Sequence, residues 1–264
     1  MDPLASITPL ILTYNEEANI GRTLAGLVWA QRIVAIDSGS TDRTLELLAA
    51  DPRVEVIHRP FDTHGQQWNF ALAQVSSPWV LSLDADYVVT DRLAEEIRRV
   101  LAASDRAPQP PPAGYAIPFR YCVHGRPLRG TVLPPRIALF RRNAGRYVDD
   151  GHTQDLVLQG ACGALKEPIL HDDRKPLSRW LWAQERYLRL EVAKLRATPR
   201  RRLSRADRLR RGSILSPVAV LVVCLAVKGG LLDGWRGWFY ALQRTYVELL
   251  LCLMLIDADL RGER

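Results

Sequence analysis

The chain has 264 residues, 47% of them hydrophobic and 25% charged, a composition that fits a folded protein with a sizeable core and excludes a disordered or collagen-like chain. A formal charge of +7 and a pI near 9.5 point to an anionic partner: nucleic acid, a membrane surface or a phosphorylated substrate. Four widely spaced cysteines without a C-x-x-C pair exclude a zinc ribbon or disulfide framework, so reduced thiols in a cytoplasmic protein are the expectation.

The opening MDPLASITPL lacks the basic-then-apolar order of a signal peptide and leads into a first strand, ITPLILTY. NEEANIGRTLAGLV follows with Ile20, Leu24, Leu27 and Val28 at helical spacing and Asn15 as the expected cap. RIVAID reads as a strand. STDRTLELLAA reads as a helix capped by Ser40 or Thr41, with Leu45, Leu47 and Leu48 turned inward. VEVIH, GQQWNFALAQV, WVLSLD and DRLAEEIRRVLAA continue the strand–helix alternation, which predicts a parallel sheet covered by helices on both faces. Ligands of such sheets sit beyond the carboxyl ends of the strands. The polar stretches Tyr14 to Glu17, Asp37 to Asp42, His58 to Gln66 and Asp84 to Asp86 fall there.

The Pro-rich SDRAPQPPPAG (104–114) is a loop by composition, and YAIPFRYCV and RIALFRR read as strands of a more antiparallel region. From Pro176 the character changes to a basic amphipathic helix, an arginine run and two apolar segments flanking KGGLLDGWRG. The expected division is therefore 1–175 and 176–264, without internal repeats.

The run WVLSLDADYVVT ends on two carboxylates, Asp84 and Asp86, which either cap a turn or hold a hard cation such as Mg²⁺ whose shell substrate phosphates complete. The sequence contains no P-loop pattern, no G-x-S-x-G and no histidine pair at zinc spacing.

LTYNEEANI, AIDSGSTDRT and LSLDADYVV, in that order, resemble the inverting family-two glycosyltransferases of GT-A fold. PPRIALFRR, DDGHTQD, ILHDD and GGLLDGWRG are similar to the bacterial β-glycosyltransferases of the lipopolysaccharide-core type. The resemblance implies an α/β GT-A domain and a UDP-sugar donor, with Thr13, Tyr14, Asn15 and Glu16 lining the nucleotide pocket and Asp37 meeting uracil or ribose. It also implies that Gln66 and Asn69 reach the base, that Asp84 contacts ribose or a metal-bound water, and that Arg136 holds the diphosphate. Asp86 is then the ligand of Mg²⁺ or Mn²⁺, with Asp84 beside it and His171 as a third ligand. The metal stabilises charge on the departing UDP. Asp155 is the expected base toward the acceptor, with Asp149 and Asp150 as alternatives, because Gln154-Asp155 stands where the family more usually has His-Glu.

Neither carboxy-terminal apolar segment reads as a clean bilayer span: ILSPVAVLVVCLAV is short, and WFYALQRTYVELLLCLMLI carries Gln243, Arg244 and Glu248. Arginines 200, 201, 202, 205, 208, 210 and 211 suit anionic headgroups, and Trp235, Trp238 and Tyr240 suit an interface. The expectation is peripheral attachment to the cytoplasmic face of the inner membrane; the alternative is a soluble helical hairpin packing on the catalytic domain or on a second copy of the chain. The expected acceptor is lipid-linked or of lipopolysaccharide type, and a polyprenyl phosphate is the runner-up. A non-catalytic basic protein that binds membrane or nucleic acid is the reading from another class. The arginine run lacks interleaved aromatics and no nucleic-acid motif is present, so a nucleic-acid partner is not expected.

Overall fold

The computed structural model describes residues 2–104, 111–150, 153–212 and 214–262, so most of the Pro-rich segment lies outside the described residues. The chain divides into two compact units. The first is Met1–Gly125, Leu133–Asp149 and Gln154–Lys175; the second is Arg126–Val132, Asp150–Thr153 and Pro176–Arg264.

The strands are β1 (Ile7–Thr13), β2 (Ile33–Asp37), β3 (Val54–His58), β4 (Trp79–Asp84), β5 (Tyr87–Val88), β6 (Gly114–Ile117), β7 (Phe119–Val123), β8 (Arg126–Pro127, in the second unit), β9 (Arg136–Arg141), β10 (Gly145–Asp150), β11 (Thr153–Leu158), β12 (Cys162–Ala164) and β13 (Ile169–His171). Seven of them form the main sheet of the first unit in the order β12-β6-β9-β4-β1-β2-β3. β4, β1, β2 and β3 run parallel. β9 runs antiparallel to both β4 and β6. The sheet is thus mostly parallel on one side and mixed on the other. Pro118 divides YAIPFRYCV into β6 and β7 because it has no N–H to give a ladder.

Period-two alternation along β1 sends Ile7 and Ile11 to one face and Leu10 and Leu12 to the other. The first face packs against α1 (Ile20–Ala25), α2 (Thr44–Ala49) and α4 (Asp91–Ser104), through Ile20, Leu24, Leu48, Leu93 and Ile97. The second packs against α3 (His64–Ala73), through Trp68, Ala71 and Leu72. Helices therefore cover both faces.

Three local expectations are corrected. Val28 and Leu45 are exposed: α1 ends at Ala25, so Val28 falls in the turn after it, and the inward face of α2 is narrower than the leucine spacing suggested. Asn15 adopts a left-handed φ of 54° four residues before the cap position Asn19 and does not cap α1. Asp42, rather than Ser40 or Thr41, accepts from Thr44 N (3.0 Å) at the start of α2.

The second unit contains α5 (Leu177–Ala197), α6 (Arg205–Gly212), α7 (Ser216–Val222) and α8 (Trp235–Leu260). Leu188, Leu195, Leu203, Val247, Leu251 and Leu255 form its core. Arg210 bridges two buried carboxylates, donating to Glu191 at 2.8 Å and to Glu248 at 3.1 Å. This corrects two expectations: Arg210 faces inward rather than toward headgroups, and Glu248 is paired inside the helical unit. α8 is long and apolar enough to cross a membrane, and only a third of its most apolar stretch is buried.

Candidate active site

β1, β2 and β4 end level with one another: Thr13 lies opposite Asp37, and Leu12 opposite Asp84. The strand order turns back at β1, with β2 on one side and β4 on the other, and that reversal opens a crevice beyond the strand ends.

The loops after β1 and β2 are stitched together. Asn15 N donates to Ser40 Oγ (2.9 Å), Thr41 N to Asn15 Oδ1 (2.8 Å), Glu16 N to Thr44 Oγ1 (2.7 Å) and Glu17 N to Asp42 (3.1 Å). Asp37 is fully buried and accepts from Gly39 N, Ser40 N, Ser40 Oγ and Thr13 Oγ1. Burial pushes its pKa up, but these bonds outweigh burial and hold it below the usual carboxylate value. Four donors fill its acceptor positions, so Thr13 and Asp37 shape the loop rather than present free groups to a base. Tyr14, by contrast, is exposed beside that loop.

On α3 the expected pair separates. Gln66 is exposed, whereas both ends of the Asn69 amide are engaged by the main chain of Tyr147, at 2.8 and 2.9 Å, which ties α3 to β10. Its neighbour Gln67 is buried and donates to Ser38 Oγ at 3.1 Å, a role that the expectation for this helix missed.

Asp84 is the last residue of β4 and Asp86 lies in the turn after it, so the alternation that would have set the two carboxylates on one side is broken. Asp84 lines a cavity of about 440 Å³ together with Tyr87, Arg136, Tyr147, Gln154 and Asp155. His171 Nε2 lies 3.1 Å from Asp86 Oδ2, and Asp86 Oδ1 is buried without a hydrogen-bond partner. Tyr87 and Tyr121 present their edges to the His171 ring. Burial works against a charged His171, but the Asp86 carboxylate overrides it and raises the pKa. Among the described residues no three His, Cys, Asp or Glu side chains gather as a metal site, and of the expected set Asp86 and His171 are in contact. The residues fit a smaller arrangement. Oδ1 of Asp86 is a free oxygen donor for a hard cation that takes one or two protein ligands, and His171 orients that carboxylate.

Beside Asp86 lies a charged network that the sequence did not announce. Glu16 Oε1 pairs with Lys175 Nζ at 2.6 Å, and Asn19 Nδ2 donates to Glu16 Oε2 and to Asp173 Oδ1, both at 2.9 Å. Burial pushes the Glu16 carboxyl up to about 7; Lys175 opposes this, and the nearby Asp86 charge adds to it. Asp172 accepts from Gly125 N and from Arg174 Nε, at 2.9 and 3.0 Å. The motif HDD was legible at this place in the chain, but Asn19 and Lys175 carried no spacing signal.

The three candidate bases part company. Asp149 accepts from Gly65 N (2.7 Å) and from Thr63 Oγ1 (2.8 Å), the N-cap residue of α3, and so braces the start of that helix. Asp150 pairs with Lys194 at 2.7 Å. Asp155 stands exposed on β11 in the cavity wall with Asp84 and Arg136.

Residues 10–143 match glycosyl transferase family 2. A lipopolysaccharide core biosynthesis glycosyltransferase, LpsC of Rhizobium meliloti, is 33% identical over 157 residues, which are 56% of this chain and 55% of that protein. An uncharacterized glycosyltransferase of Rickettsia typhi, RT0209, is 30% identical over 104 residues, 39% and 35% of the two chains. The chain therefore spans about half the length of the first relative and about a third of the second. Among solved structures, TarS 1–349 of S. aureus in complex with UDP-GlcNAc superposes with a TM-score of 0.50 at 13% identity, covering 97% of this chain and 92% of that one, a likeness of fold.

Proposed function

Because the chain belongs to glycosyl transferase family 2 and is a glycosyltransferase, we propose that it moves a hexose from a UDP-sugar, with inversion and with the help of a divalent cation, to a lipid-linked acceptor of the lipopolysaccharide-core type. The observation that carries this reading is the cavity that Asp84, at the end of β4, lines together with Arg136 and Asp155. The stitched loops of Tyr14 to Glu16 and Ser38 to Thr41 form the nucleoside side of the crevice, and Asp37 holds their shape. Arg136 offers a bidentate fork to the diphosphate. Asp86, aimed by His171, offers Oδ1 to Mg²⁺ or Mn²⁺, and a bound cation supplies Lewis-acid stabilisation of the leaving diphosphate. Asp155 takes the proton of the acceptor hydroxyl as that oxygen bonds to the anomeric carbon and the bond to the diphosphate oxygen breaks, leaving the electron pair on UDP.

The second unit fits attachment to the cytoplasmic membrane face, where a lipid-linked acceptor resides. α8 carries exposed apolar residues at helical spacing (Trp235, Trp238, Leu242, Leu249, Leu253 and Ile256), downstream of the basic segment 200–211.

The test is Asp155→Asn. Calorimetry with Mn²⁺ should show UDP-sugar affinity nearly unchanged, while turnover falls about 10²–10⁴-fold, the range for a lost general base. A full-rate Asp155→Asn enzyme would reject the assignment. A screen of UDP-, GDP- and dTDP-sugars for metal-dependent hydrolysis tests the donor.

A further inference from the structure

The arginine run does not form an even basic surface. At the junction of α5 and α6 it folds into a concavity of about 350 Å³ lined by Arg196, Arg200, Arg208 and Arg211 with Thr198 and Gly212. The four guanidinium groups divide into two kinds. Arg196 pairs with Asp259 at 2.7 Å, and Arg211 donates to Thr198 O at 3.0 Å, next to the carbonyl end of α5. These two neutralise the negative end of the helix and hold the walls in place. Arg200 and Arg208 have no carboxylate partner among the described residues; Arg208 makes only a long 3.4 Å bond to Ser204 O. The concavity therefore holds an excess of positive charge in a fork geometry suited to phosphate oxygens.

Exposed apolar residues follow the wall residues along the chain. Ile214 and Leu215, 71% and 66% exposed, follow the lining residue Gly212 by two and three positions. Leu260, 83% exposed, follows Asp259, which is tied to the pocket wall through Arg196. From Leu260 the exposed apolar face of α8 runs back through Ile256 and Leu253. A ligand that satisfies both features carries a phosphate at one end and an acyl chain at the other.

We infer that this pocket is a stoichiometric binding site for the phosphate of an anionic membrane phospholipid whose acyl region lies against Ile214, Leu215 and the end of α8. The inference rests on the membrane reading above and adds to it a discrete site where diffuse attraction would otherwise suffice. It predicts selectivity for phosphate over charge, and unequal importance of arginines that contribute equal charge.

The full chain is co-sedimented with phosphatidylcholine vesicles carrying either phosphatidic acid or an amount of fatty acid that gives the same surface potential. The pocket predicts at least about fivefold tighter binding to the phosphatidic acid vesicles, since a charge-assisted phosphate contact contributes beyond long-range attraction. Arg200→Gln/Arg208→Gln should abolish that preference. Arg201→Gln/Arg205→Gln, which removes the same charge outside the pocket, should keep it while weakening binding to both vesicles. Thermal melting of both variants checks folding. Equal binding to the two vesicle types, or equal effects of the two double variants, would overturn the pocket while leaving membrane attachment standing. Absence from every pellet would overturn both. Glycerol phosphate in millimolar amounts should compete only weakly; full displacement by it would reassign the site to a soluble phosphate.

Discussion

The Lys175 ammonium lies 2.6 Å from Glu16 Oε1 and thereby joins the segment after β13 to the loop after β1. Both side chains are mostly shielded from solvent, so each depends on the other for its charge. Lys175→Met should destabilise the protein by about 3 kcal/mol, as expected when a buried ion pair loses one member. Adding Glu16→Gln to that variant should recover part of the loss, because the stranded carboxylate is removed. Urea denaturation of the two single variants and the double variant measures the coupling; additive losses would mean that the contact contributes nothing.

Asp86 carries the cation prediction. Asp86→Ala should weaken UDP binding when Mn²⁺ is present and leave metal-free binding unchanged. Calorimetric titrations with and without Mn²⁺ read both, and an equal loss in the two conditions would remove Asp86 from the metal. His171→Ala should reproduce the effect in weaker form, since it acts by orienting Oδ1.

Asp149 and Asp155 should separate by kind of damage. Asp149→Ala removes two hydrogen bonds at the start of α3 and should cost about 1–2 kcal/mol of stability, the net worth of one or two such bonds. Its folded fraction should turn over close to normally. A turnover defect in Asp149→Asn without loss of stability would move the base to that residue.

The positions of these residues show where chain-level reasoning reaches and where it stops. The strands VEVIH and WVLSLD could be read to the residue, because each is a run of apolar or alternating residues bounded by turn signals. The place of Asp84 was legible, because it ends a strand whose carboxyl end a topological rule assigns to the ligand side, whereas Arg136 and Asp155 were reached only through the family resemblance. What Asn69 and Asp149 do was not legible. Each amide or carboxylate type suits a ligand or a backbone partner equally, and only the packing of α3 against β10 decides between them. The different settings of Asp84 and Asp86 depend on a single turn, Ala85–Asp86, that ends the strand alternation at Asp84.

Asp37 makes a pH prediction. Its pKa is depressed in the folded protein, so it contributes stability that is fully present above the ordinary carboxylate value of 3.8 and is lost as pH falls through the lower folded value. The stability gap between the native protein and Asp37→Asn should therefore be constant from neutral pH to about 4 and shrink below it. Chemical denaturation across that range checks the sign; a gap that widens on acidification would contradict it.

Gly237 of α8 meets the chain of Gly230 so closely that a methyl group would fall 1.9 Å from the Gly230 carbonyl oxygen. Gly237→Ala must move backbone rather than a flexible side chain, and should cost about 3 kcal/mol or displace the start of α8. Gly21→Ala, with open space around its Cβ position, is the matched control and should be neutral or slightly stabilising. Circular dichroism melts of the pair decide it.

Arg210 between Glu191 and Glu248 works as an indexing pin for the last helix. A helix turns its side chains by about 100° per residue, so a slip of α8 by one position would swing Glu248 out of reach of Arg210 and strand charges in an apolar interior. The greasy stripe of α8 carries little angular information of its own, since leucine, valine and isoleucine pack almost interchangeably. The ion triad supplies that information: it decides which side of the cylinder the protein keeps for itself and which side it offers outward.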